Sequence, residues 1–303
     1  MPEDWPTLRD SRREEKASST ALLIAASMAF LAERPATAHL VPPETRKLSW
    51  WLLRSHSRKL RLLSRVIGNG WFYRLARGLE AMTIPGIIEH WAQRKVALEK
   101  LARAALENGG AAQLIVLGAG FDTLACRMAT QIPGLRTVEV DSKGTGAWKK
   151  EGVQKCELAH GGLSFATRDL REAGVIDDLV AAETVQARPR SFWVAEGLFM
   201  YFEPAEVSSL LAAIRLHSPA GSRLAFTYME PDDQGHTNFR RRSSPLTWWL
   251  RGVREPFRWG IRRMDLPAFL AELGFCIIEL PPDVTAEVER LAVGEHIALA
   301  EVC

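Results

Sequence analysis

A chain of 303 residues, 47% hydrophobic and 25% charged, is long enough for one large α/β domain or a core with an appended cap, and its composition excludes a disordered protein. Four cysteines, Cys126, Cys156, Cys276 and Cys303, show neither C-x-x-C nor any other metal-ligand spacing, which reads as reduced thiols with no zinc or other metal site. The net charge of +3 conceals two basic blocks: residues 45–79 hold nine Arg/Lys and no acid, and residues 240–263 hold eight Arg with one acid, Glu255.

Residues 18–32, SSTALLIAASMAFLA, have the apolar length and small residues of a secretory signal, but Glu14 and Glu15 spoil the basic flank before them. A buried amphipathic helix over Ser19–Leu31 is the better reading, and it places the chain in the cytoplasm. Helical patterns continue over Leu48–Val66, Trp71–Leu79 and Ile87–Leu106, the last stopped by Asn108-Gly109-Gly110. No segment reaches the roughly 20 apolar residues of a membrane span. From Gln113 onward strands at 113–118, 136–140, 163–167, 191–195 and 222–228 alternate with helices at 122–131, 145–155, 176–184 and 204–217. That alternation predicts an α/β fold, a mostly parallel sheet with helices on both faces. After an Arg/Trp-rich insertion at about 231–263 come a helix at 265–273 and apolar strands at 275–280 and 296–301, expected as an antiparallel hairpin at the sheet edge.

The segment LIVLGAGFDTLACR, Leu114 to Arg127, reads as a strand, a tight turn and a helix start. Gly118 and Gly120 fit the first two positions of a G-x-G-x-x-G dinucleotide turn, but the third is Thr123, and Asp122 stands where a pyrophosphate would sit. A carboxylate there repels phosphate and suits a cation. S-adenosylmethionine (SAM) has no phosphate, carries an ammonium and a sulfonium, and presents ribose hydroxyls to an acid such as Asp141, which ends VEVD about 20 residues further on. An NAD-linked oxidoreductase is disfavoured on the same residues.

Four segments in order, STALLIAA near the N-terminus, LGAGFDT at 117–123, VEVD at 138–141 and AEGLFMYF at 195–202, resemble the leucine carboxyl methyltransferase-like family of class I SAM-dependent methyltransferases, which includes polyketide and other natural-product O-methyltransferases. The resemblance implies a Rossmann-like sheet with an antiparallel last strand, a helical cap and substrate lid over 1–112, and a SAM-binding domain over 113–303. It implies that Arg94 pairs with the SAM carboxylate, that Gly118 lets the methionine part approach, and that Asp141 accepts from the ribose; Gly120 and Asp122, read from the turn itself, are the further cofactor-binding candidates. Asp169 and Leu170 would contact the adenine edge and Glu196 the methionine moiety. On residue chemistry alone Arg94 could instead pair with Glu99, and Asp141 or Asp169 could cap a following helix. The chain departs from relatives at Leu124, at Cys126, in SKGTGAW after VEVD, and in HLVPPETRKL over the substrate region, so the acceptor is not implied.

The reaction expected is methyl transfer to an oxygen, carboxylate or hydroxyl, of a small anionic or aromatic molecule, in the manner of natural-product biosynthesis, leaving S-adenosylhomocysteine. Alignment in a dry pocket does most of this chemistry; a carboxylate acceptor needs no base and a hydroxyl benefits from one. Tyr201, His90 and His236, with Tyr228, are the candidates for positioning or deprotonating the acceptor. The basic blocks, with Trp50, Trp51 and Trp71 in the first and Trp248, Trp249 and Trp259 in the second, read either as solvated faces over core tryptophans or as a surface for an anionic substrate, a carrier protein, a membrane or nucleic acid. Nucleic acid is not the expected partner, and the chain is expected to be a monomer or homodimer.

Overall fold

The computed structural model describes residues 17–159, 161–232, 234–237, 239, 257–281, 284 and 294–303. The densest part of the Arg/Trp-rich insertion, with Trp248 and Trp249, lies outside the described residues.

Among the described residues five α-helices precede the sheet. Helix α1, Ser19–Ala32, begins at Ser18, whose Oγ accepts from the Ala21 N–H at 3.2 Å. It is apolar nearly all round, and every residue from Ala25 to Ala32 is buried. The expected one-sided helix is therefore a core helix, covered by its neighbours, as an all-apolar helix must be. The expected helix over Leu48–Val66 is two helices, α2, Pro43–Ser55, and α3, Arg58–Val66. The break is at Ser57, extended at φ −153°, whose side chain accepts from Leu60 N–H and starts the helix afresh. Helix α4, Gly70–Thr83, and the long helix α5, Ile87–Arg103, complete the cap.

The sheet has seven strands: β1 Gln113–Leu117, β2 Arg136–Asp141, β3 Leu163–Thr167, β4 Ser191–Ala195, β5 Arg223–Met229, β6 Phe275–Ile278 and β7 Glu295–Val302. Their order is β3-β2-β1-β4-β5-β7-β6; the first five are parallel, and β7 is antiparallel to both β5 and β6. The mostly parallel sheet with an antiparallel last strand is as the sequence predicts. The final pair is antiparallel and ends the sheet as expected, with β6 outermost and β7 between it and β5. Six of the eight β7 residues are buried, a pattern that needs cover on both faces and a neighbour on each side. Helices α6 Leu124–Gln131, α7 Lys143–Lys155, α8 Val175–Ala181, α9 Pro204–Leu216 and α10 Leu266–Glu272 cover the sheet.

One cysteine expectation is corrected. Cys126 and Cys156 are free and buried, but Cys276 on β6 and Cys303 beyond β7 are joined as a disulfide, their Cα atoms 6.0 Å apart. The antiparallel pairing of β6 with β7 brings together two residues whose spacing gives no signal of contact.

Cap and sheet meet closely where α2 crosses α7 at Gly152. A Cβ there would lie 2.6 Å from Leu48 Cδ1 and 2.9 Å from the Trp51 ring, and Leu48 is fully buried and has no room to yield. Gly152→Ala is expected to lower stability by about 1–3 kcal/mol through overpacking, read as a fall in Tm; an unchanged Tm would show that the cap does not rest on the sheet here.

Candidate active site

The strands of a parallel sheet deliver their following loops to one edge, and the carboxyl ends of β1, β2 and β4 line a cavity of about 720 Å³ between that edge and helices α1, α4 and α5. The turn after β1 is tied to β2: Gly118 N–H donates to Val140 O at 2.8 Å, and Gly120 N–H donates to Asp141 Oδ2 at 2.7 Å. Gly118 has φ +62°, a conformation that favours glycine, and a Cβ would stand 2.8 Å from Leu198 Cδ1 and displace that side chain. Asp141 Oδ1 accepts from Ser142 N–H at 2.7 Å and from its hydroxyl at 3.1 Å. Burial pushes the Asp141 carboxyl up, and these donors offset that only in part.

Arg94, buried on α5, reaches across the top of the sheet. Its Nε and Nη2 lie 2.9 and 2.8 Å from Glu196 Oε1, and Nη1 donates to both oxygens of Glu295 at 2.7 and 2.8 Å. Glu99 is occupied by Arg103 and Arg127. Lys95, next along α5, binds both Glu196 oxygens at 3.0 Å and stands 3.3 Å from Asp122 Oδ2. Burial alone would raise Asp122; the charges of Lys95, Arg127 and Lys149, with the Thr123 N–H, outweigh it and hold the carboxyl well below its usual range. Glu295 behaves likewise. Burial pushes it up, but Arg94 and His90 bring it down to about 2. Beneath this layer Lys149 of α7 makes a buried ion pair of 2.9 Å with Glu139 of β2, whose carboxyl burial nonetheless pushes up to about 7.

The far half of the cavity is apolar. Leu23, Ile24 and Met28 of α1, Leu79 of α4, Trp91 of α5 and Tyr201 form much of its wall, and the Tyr201 ring lies 5.6 Å from Phe257. Glu80 is the acid at that end. Burial raises its carboxyl, while the Ile88 N–H at 2.9 Å and Arg77 at 2.6 Å partner it.

Of the residues singled out in the sequence, Arg94, Gly118, Gly120, Asp122, Asp141, Glu196 and Tyr201 come together on this wall. Others do not. Asp169 is half-exposed in the turn after β3 and accepts from Arg171 N–H at 3.0 Å, while Leu170 is buried in the core against α8. His90 stands behind the wall, one turn before Arg94, with Nε2 2.6 Å from Glu295 Oε2. His236 is on the surface, 3.6 Å from Asp232, and Tyr228 is buried in the core with burial pushing its hydroxyl up to about 12. Sequence reading missed Lys95, Glu295 and the Glu139–Lys149 pair. The one signal for Glu295 is a carboxylate opening the apolar run HIALA. Among the described residues no group of three His, Cys, Asp or Glu is gathered as for a metal ion.

The leucine carboxyl methyltransferase family matches the chain over residues 21–215. Three similar proteins, each named as a putative methyltransferase, illustrate the likeness. A SAM-dependent one of Streptomyces coelicolor is 35% identical over 119 residues, 39% of this chain and 41% of that protein. A SAM-dependent one of Bacillus subtilis is 29% identical over 207 residues, 65% of this chain and 67% of that protein. A crystal structure from Thermobifida fusca superposes with a TM-score of 0.57 at 15% identity, covering 99% of each chain. The chain thus spans under half the length of the first of these relatives, and the structural likeness is one of fold.

The depressed Glu295 carboxyl ties stability to pH. Its ionised form stabilises the fold above its ordinary value of 4.5, and that contribution is lost as pH falls from there towards about 2. Glu295→Gln is expected to cost about 3 kcal/mol at pH 7. Its Tm should converge on wild type between pH 4.5 and 2; parallel acid profiles would remove Glu295 from the account.

Proposed function

Because the chain belongs to the leucine carboxyl methyltransferase family, we propose that the cavity binds SAM at its polar end and passes the methyl group to an oxygen of a small apolar molecule held at its other end. The carrying observation is charge: at the edge of the sheet that faces the cavity, Asp122, Asp141, Glu196 and Glu295 face two cations, Arg94 and Lys95. An excess of carboxylate suits a ligand bearing sulfonium and ammonium and repels a pyrophosphate. The residues present fit this cofactor in two further respects. Asp141 retains acceptor capacity, since a carboxylate offers about four positions and three are in use, and the missing Cβ of Gly118 leaves the backbone accessible.

SAM supplies, when bound, a methyl carbon made electrophilic by its sulfonium. The protein's own part is to orient and to exclude water. Arg94 has about one N–H left beyond its bonds to Glu196 and Glu295, enough for one bond to an amino-acid carboxylate. The apolar wall from α1, α4 and α5 keeps the acceptor dry and aligned, the role expected of a cap and lid over 1–112. Tyr201 is the side chain we assign to positioning the acceptor oxygen. His90, enclosed behind Glu295, would act through that carboxylate and is a positioning residue. A neutral hydroxyl on an aromatic or otherwise apolar skeleton suits this wall better than a free acid, because the added charge would join Glu80 and four further carboxylates.

Titration calorimetry with SAM and with NAD tests the binding step. SAM is expected to bind and NAD not. Asp141→Ala should weaken SAM by about ten- to a hundredfold, the loss of a hydrogen bond to a charged group, with the fold intact by circular dichroism. Labelled SAM incubated with a panel of phenols and free acids tests the acceptor: a product stable to mild base marks a hydroxyl acceptor, and a base-labile ester would overturn that assignment.

A further inference from the structure

Helix α4 carries two apolar faces. Its inner face packs Phe72, Tyr73 and Ala76 on the core of the cap. Its outer face presents Trp71, Leu75, Leu79 and Met82, spaced four, four and three residues apart and so aligned along one side of the helix. These four and Leu62 of neighbouring α3 are between 51% and 65% exposed. A single exposed leucine needs no explanation, but a continuous stripe of large apolar side chains rimmed by charge marks an interaction surface. Cations accompany it: Arg58, Lys59, Arg61 and Arg65 of α3 and Arg74 of α4 are exposed, within a block, residues 45–79, that contains no acid, and both helices set their opposite sides on one core cluster.

We infer that this α3–α4 face docks on the surface of an anionic lipid bilayer, with the α4 stripe in the acyl-headgroup boundary and the α3 cations on the lipid phosphates. Both halves of the surface are used by that occupant. A second copy of the chain would have to meet the same face across a two-fold axis, setting one acid-free cationic block against another. Nucleic acid would engage the cations and Trp71 but leave Leu75, Leu79 and Met82 without a partner. Among the described residues no helix is long and apolar enough to cross a membrane, so the helices lie on the bilayer rather than through it. Leu79 also belongs to the cavity wall, with Ala76 and Thr83 of the same helix. The docked face is therefore at the cavity mouth, and on the methyltransferase reading a lipid-dissolved acceptor enters without crossing water.

The test is flotation of the purified full chain with vesicles of phosphatidylcholine, alone or with roughly a third phosphatidylglycerol, at low and raised salt. Binding is expected to the anionic vesicles and to weaken with salt. Leu75→Ser with Met82→Ser, neither of which lines the cavity, should reduce binding about tenfold or more, and Arg58→Gln with Arg65→Gln by about fivefold for each cation removed. SAM affinity should be unchanged in both double variants. No flotation of wild type, or flotation indifferent to both variants, overturns docking. So does a fall in oligomeric mass of the serine variant on gel filtration, which would identify a second copy, or RNA binding that the glutamine variant loses and the serine variant keeps. Absence of SAM binding with vesicle binding intact would instead reject the methyltransferase reading and leave docking in place.

Discussion

A guanidinium buried where α5 crosses the ends of β4 and β7 decides how the cap meets the sheet. Arg94 satisfies Glu196 on one side and Glu295 on the other, while His90, one turn earlier, holds the second oxygen of Glu295. Taking these charges out of water is costly, and the cost is recovered only while the hydrogen-bond geometry is complete. Helix α5 therefore has little freedom to slide or roll. The cavity lies between this fixed helix, α1, α4 and the strand ends, with Ala21 of α1 resting close to Gly120 of the glycine turn.

The same constraint gives the site two layers of charge. In the upper layer Lys95 joins Asp122 to Glu196. In the lower, Lys149 sits beneath Asp122 and Asp141 with Glu139 as its partner, and helps to hold Asp122 ionised. The polar end is thus a set of carboxylates with cations behind them, and those cations hold Asp122 and Glu295 below their ordinary range. The apolar end depends on side-chain packing and contains Glu80, whose charge Arg77 shares with Glu89.

Much of this was legible in the chain. Strands of five to seven residues alternating with helices are a local signal, so the parallel half of the sheet, the glycine turn and Asp141 at the end of β2 were placed from sequence. What escaped reading depends on distant partners. Glu295 acquires its role from Arg94, 201 positions away. The Ser57 break escaped because the apolar period continues through it, although a serine before RKL is a capping signal. Asp169 is in the turn after β3 as read, whereas the burial of Leu170 in the core and the place of His90 behind the wall had no signal in their motifs. Burial of a particular side chain is set by the neighbouring elements, not by its own motif.

The position of β7 makes the site depend on the far side of the sheet. β7 lies between β5 and β6, a strand with no other partner in the sheet, and its first residue, Glu295, is the second carboxylate of Arg94. While β7 is unpaired, Arg94 has one carboxylate instead of two and α5 lacks its anchor. Occupancy by a ligand of the polar end of the cavity would therefore report that the whole sheet, and not merely the glycine turn, has formed.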